Sequence, residues 1–161
     1  MLRSKSLAKL LPMTCAAAGL FAAAAFADVA PQDVMIVDES EIPQALTDVA
    51  GDAVNGRVIA ISRKKGNCLA CHQMPVEEQL FHGEVGPALW GVGNNYNAAE
   101  LRLRVVNYKT LNEDVLMPSF YVNSDDMHRV IKKFKGKTIL SAQEVEDVIA
   151  YLLTLTEDQP E

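Results

Sequence analysis

Cysteine is scarce in this chain: three residues among 161. Cys15 stands inside an apolar run near the start, so Cys68 and Cys71 are the two left outside it, which excludes a structural disulfide framework. Positive charge is outweighed. Fifteen Lys and Arg face 21 Asp and Glu, a formal net charge of −6, and such a field argues against binding nucleic acid or anionic lipid. No run of useful length alternates apolar and polar residues with the period of a strand, so the sheet classes fall away. No internal repeat is evident, and one long apolar run stands alone, Leu10 to Phe26.

That run is preceded by Arg3, Lys5 and Lys9, with no acid, and ends in the small-x-small pattern Ala25-Phe26-Ala27. It reads as a secretory signal peptide over residues 1–27, cleaved after Ala27. A membrane anchor is the competing reading, but a run of about 17 residues is marginal for a span. A lipoprotein is disfavoured because Cys15 lies mid-run. Removing 27 residues leaves 134, enough for one domain, with twelve bases against 21 acids and a net charge of −9. The expected compartment is the oxidising periplasm, with no membrane segment left in the mature chain.

The residues that carry chemistry are Cys68-Leu69-Ala70-Cys71-His72. C-x-x-C-H is the attachment motif of a c-type haem. Two thiols at i and i+3 share one face of a helical turn and can each add to a porphyrin vinyl group. The adjacent His72 then lies under the iron as an axial ligand. The motif calls for one covalently attached haem c. A structural zinc site would need four ligands, and a thioredoxin-like pair would need an α/β context.

The helical pattern is legible on either side of the motif. Asp52 caps a helix expected over Ala53 to Lys65, with Val54, Val58 and Ile61 on its inner face. Gly56 in its interior costs about 1 kcal/mol relative to alanine, which a close helix crossing would explain. Ser141-Ala-Gln-Glu144 is a capping box. It opens a helix whose Val145, Val148, Ile149 and Leu152 recur at i, i+3, i+4 and i+7, with Tyr151 available to pack beside Gly56. A shorter helix is expected from Ala98 to Tyr108, with Leu101, Val105 and Tyr108 on one face. The fold class is all-α. Residues 28–51 form an acidic extension, broken by Pro31 and Pro43, that either wraps the domain, meets a partner or trails as a poorly ordered tail. The haem domain spans 52–156, and 157–161 is a short tail.

Closing the iron requires a sixth ligand. The candidates are Met35, Met74, Met117, Met127, His82 and His128. Met74 is too near His72 to reach the opposite face, and Met35 lies in the extension. Met117 precedes Pro118, which bars helix and suits a rigid strap holding a thioether. Its bland alternative is a gap-filling core methionine. His82 reads as a solvated loop histidine near the haem edge and His128 as a surface residue, with bis-histidine ligation the minor alternative. The Pro87 carbonyl is placed to accept from the second nitrogen of His72. Trp90 and Tyr96 are candidates for packing on the porphyrin or in the core.

A helix ending in C-x-x-C-H, then Gly86-Pro87-Ala88-Leu89, then Met117-Pro118, then a last helix resembles a class I cytochrome c over Asp52 to Leu155. Gly66-Asn-Cys-Leu-Ala-Cys-His72, Gly83-Glu-Val-Gly-Pro87, Leu116-Met-Pro-Ser-Phe-Tyr121 and the stretch from Phe134 to Leu152 are similar to the SoxX family, the small subunit of SoxAX cytochromes. The long segment between Pro118 and Ser141 and the N-terminal extension depart from a minimal class I cytochrome in the same way. The resemblance implies terminal helices crossing near the haem, with His72 and Met117 as axial ligands. It also implies an electron-transfer subunit of a SoxAX-type L-cysteine S-thiosulfotransferase, which couples thiosulfate oxidatively to a cysteine of a SoxY-type carrier. The catalytic haem would lie on a larger SoxA-type partner, and electrons would leave to a soluble cytochrome c. The chain itself offers no catalytic residue: outside the apolar run its thiols are both in the motif, and Glu77-Glu78, Glu113-Asp114 and Asp125-Asp126 are solvated loop charges. Lys132, Lys133, Lys135 and Lys137 form either a docking patch for an acidic partner or a solvated loop. Two other functions stay open on residues alone: a free-standing respiratory cytochrome, and a sensor or oxidase with an open iron.

Overall fold

The computed structural model describes residues 27–126 and 131–159. The signal-like run with Cys15, and the candidates Met127 and His128, lie outside the described residues. Four α-helices order the described residues: α1 (Ala53–Ile61), α2 (Val92–Asn95), α3 (Ala98–Asn107) and α4 (Ala142–Leu153), with short 3-10 turns between them. Among the described residues there is no strand, only one isolated bridge between Val37 and Glu41.

α1 begins where expected, the Asp52 carboxylate accepting from the amides of Val54 and Asn55 at 2.8 and 3.3 Å. It stops at Ile61, four residues short of the expected Lys65. The Ser62 hydroxyl accepts from the Lys64 amide at 3.4 Å, a local bond that competes with helix continuation. The Gly66 amide returns to the Ile59 carbonyl at 3.2 Å, turning the chain back. The inner face also differs from expectation. Val54 and Val58 are 77% and 55% exposed, whereas Gly56, Ile59 and Ala60 are buried.

The crossing with α4 sets that rotation. A Cβ on Gly56 would lie 1.9 Å from the Asp147 carbonyl oxygen and 2.9 Å from the Tyr151 Cβ. Only a residue without a side chain allows such an approach, so the Gly56 side of α1 must face α4. α4 follows its sequence pattern: the Ser141 capping box forms, and Val145, Val148, Ile149 and Leu152 are all buried. α3 is capped by Asn97 with Glu100, a box not anticipated. It buries Leu101 and Val105, and Tyr108 leads into a 3-10 turn.

The extension wraps the domain. Ile42 and Leu46 are each 1% exposed, and the Ile42 amide donates to the Ala99 carbonyl at 3.0 Å. An unanticipated buried ion pair anchors it. Arg102 on α3 donates from Nε and Nη2 to the two Glu146 carboxylate oxygens on α4 at 2.7 and 2.9 Å. Arg102 Nη1 reaches the Ile42 carbonyl at 2.6 Å, and the Leu46 amide donates to Glu146 Oε1 at 2.9 Å. At the far end the Tyr121 hydroxyl donates to the Val29 carbonyl at 2.7 Å.

Candidate haem-binding site

The motif is a 3-10 turn, Cys68–Ala70, entered through Asn67 at φ 50°. The amides of Cys71 and His72 both return to the Cys68 carbonyl, at 3.1 and 2.9 Å, so the thiols and imidazole are set by the backbone itself. The following loop then lies along the motif. The amides of Gly83, Gly86 and Leu89 donate to the carbonyls of Leu69, Cys71 and Gln73 at 2.7, 2.8 and 2.8 Å.

That ladder presses backbone against the imidazole. A Cβ on Gly86 would sit 2.4 Å from His72 Cε1 and 2.7 Å from Nδ1. The Pro87 carbonyl lies 2.6 Å from His72 Nδ1, as the sequence suggested. A carbonyl can only accept, so Nδ1 carries the proton and Nε2 keeps its lone pair. A fixed ring, one nitrogen engaged and the other bare, beside two free half-buried cysteines, is the donor set a covalent haem requires. Desolvation by burial pushes the Cys68 thiol up to about 11, so without a covalent partner this sulfur stays protonated at neutral pH.

The Met117 strap is anchored separately. Met117 is half-buried and packs on the core. Beyond Pro118, the Ser119 hydroxyl donates to Asn107 at 2.6 Å, and the amides of Phe120 and Tyr121 donate to the carbonyls of Val105 and Val106 at 3.3 Å each. The strap thus hangs from the C-terminal end of α3. The other methionines are disposed differently: Met74 is 1% exposed in the core and Met35 is 68% exposed. Trp90 is half-buried, and the half-buried Tyr96 ring carries the Arg104 guanidinium 3.8 Å from its centroid.

His82 departs from expectation. It is not a solvated histidine but a half-buried clasp: Nδ1 accepts from the Met74 amide at 3.3 Å, and Nε2 donates to the Val76 carbonyl at 3.2 Å. Both nitrogens are engaged, which removes it as an iron ligand. A Cβ on Gly83 would lie 2.0 Å from the Ala70 carbonyl oxygen, and this close approach, like that at Gly86, is marked in the sequence by residue type alone. Arg57 on α1 pairs with Glu78 in the same loop and holds its carboxyl below the usual range. Tyr151 is buried on α4 with its hydroxyl lacking a hydrogen-bond partner, and desolvation raises its pKa. Among the described residues no group of three or more His, Cys, Asp or Glu could hold a metal ion. Lys132, Lys133, Lys135 and Lys137 are all exposed.

The family model of cytochrome c matches residues 54–156. The chain belongs to the cytochrome c family. That family implies covalently bound haem c, and Cys68 and Cys71 fit its attachment motif. This cytochrome is also similar to a chain in the crystal structure of SoxXA from P. pantotrophus. Identity is 37%, the alignment covers 81% of this chain and 100% of that one, and the TM-score is 0.74. Likeness at that level across the whole matched chain makes this a SoxX-type, all-α electron-transfer cytochrome. No curated protein matched. No helix of the described residues is long and apolar enough to cross a membrane.

Proposed function

We propose that this chain is the monohaem electron-transfer subunit of a periplasmic two-subunit cytochrome of the SoxAX type. Cys68 and Cys71 would form the thioether links, and His72 Nε2 would be a ligand of the iron. The Pro87 carbonyl draws on the Nδ1 proton, which raises the basicity of the ligating nitrogen and fixes its ring plane. Met117 would supply a thioether to the iron, a donor that favours the reduced state, and Trp90 and Tyr96 would pack against the porphyrin. Haem c, when bound, supplies a one-electron iron couple. With Cys68 and Cys71 given to the thioether links and His72 and Met117 to the iron, the chain would keep no free thiol or open ligand position for substrate chemistry, so it would pass electrons and leave that chemistry to its partner.

The partner is a larger SoxA-type haem subunit. Thiosulfate is coupled there to a cysteine of a SoxY-type carrier, and the electrons leave through this chain to a soluble cytochrome c. The observation that carries this assignment is the likeness at 37% identity to the full length of a chain from SoxXA. Co-purification from the native source tests it: the expected result is a second, larger haem subunit in stoichiometric amount. A lone monomer would favour a free-standing respiratory cytochrome. Met117→Ala tests the ligand set. It should lower the midpoint potential by on the order of 100 mV or more and let the reduced protein bind carbon monoxide; an unmoved potential would remove Met117 from the iron.

A further inference from the structure

Two large apolar side chains stand in water at the tip of the loop that follows the motif. Leu80 and Phe81 are each 88% exposed. The frame beneath them is fixed. Met74 and Val76 are 1% exposed anchors, bridged by the His82 ring at 3.3 and 3.2 Å. The Gln79 amide donates to the Val76 carbonyl at 3.2 Å, and the Gly83 amide to the Leu69 carbonyl at 2.7 Å. Glu78, two residues before the tip, is paired with Arg57 on α1. On that helix Val54 and Val58 flank Arg57 and are 77% and 55% exposed.

Apolar anchors held on a rigid frame bind without the entropy loss of ordering a loop. A central apolar cluster rimmed by charge is the usual anatomy of a stable interface, whereas transient electron-transfer encounters use small interfaces. The loop is also joined directly to the carbonyls of Leu69 and Cys71 through Gly83 and Gly86, so a partner seated there lies against the haem-attachment segment. The likeness to a chain of SoxXA over that chain's full length supports a second subunit as the occupant of this surface.

We infer that Leu80 and Phe81 are the apolar anchors by which this cytochrome docks into a hydrophobic pocket of the larger haem subunit, with Val54 and Val58 extending the contact and the Arg57–Glu78 pair at its rim. This rests on the two-subunit reading above. The test is the dissociation constant between the haem-loaded chain and the larger subunit, for wild type and for Leu80→Ser with Phe81→Ser. The double variant should bind roughly 30-fold more weakly or worse, the loss expected for central hot-spot residues, with the absorption spectrum and midpoint potential of the isolated subunit unchanged. Equal affinity of the two proteins would overturn the docking role alone. Failure of the wild type to bind would overturn the two-subunit reading beneath it. A shifted spectrum or potential in the isolated variant would assign the pair to the haem pocket, and wild-type self-association abolished in the variant would assign it to a second copy of this chain; either result overturns the inference.

Discussion

Replacing Arg102 is the sharpest test of how the extension is held. Its guanidinium makes two bonds to Glu146, at 2.7 and 2.9 Å, and a third to the Ile42 carbonyl at 2.6 Å, with both side chains 7% exposed. In Arg102→Met the Glu146 carboxylate stays buried with the Leu46 amide as its remaining partner, and the Ile42 carbonyl loses its donor. Breaking a buried pair from one side costs about 3–5 kcal/mol, which lowers the melting temperature by roughly 10–20 °C for a domain of this size. The double variant Arg102→Met with Glu146→Leu removes both charges together. It still strands the Ile42 carbonyl and the Leu46 amide, at about 1–3 kcal/mol each, so it should be no less stable than Arg102→Met alone and far from the sum of the single losses. The assay is thermal and denaturant unfolding of the haem-loaded protein by circular dichroism, with limited proteolysis read alongside. Cleavage should quicken within residues 28–51 while the haem spectrum holds. A loss below about 1 kcal/mol, the level of a solvent-screened pair, or strictly additive single losses, would refute the reasoning.

Gly56→Ala should destabilise the protein by at least about 1–3 kcal/mol, because the new Cβ meets backbone 1.9 Å away at Asp147 and not a yielding side chain; the denaturant midpoint checks this. Gly86→Ala should push the His72 ring off the Pro87 carbonyl, changing the absorption spectrum and costing roughly 1–3 kcal/mol; an unaltered spectrum and melt would refute the packing. Glu78 is held below the ordinary carboxylate range by Arg57. Its latch therefore contributes fully above that range and is lost as pH falls through the lowered value. The stability difference between wild type and Glu78→Gln should be level at neutral pH and vanish in acid, and a difference that persists in acid would show that the pair is not its source.

What the sequence determined by itself is local. C-x-x-C-H, the Pro87 partner of His72, the Ser141 capping box and the apolar stripe of α4 all depend on hydrogen bonds or periodicities that close within a short stretch of chain. The Gly56–Tyr151 contact was legible for a related reason: a glycine inside a helix has few uses other than close approach. What only the tertiary structure decided involves residues far apart. Arg102 and Glu146 look like solvent-facing charges until α3, α4 and the extension meet, because a buried charge is tolerable only where its partners converge. Val54 and Val58 matched a helical face that α1 does not bury, since the crossing at Gly56 turns the helix and periodicity alone does not fix that rotation. His82 read as a loop histidine because its acceptor and donor are backbone groups, which leave no trace in side-chain identity.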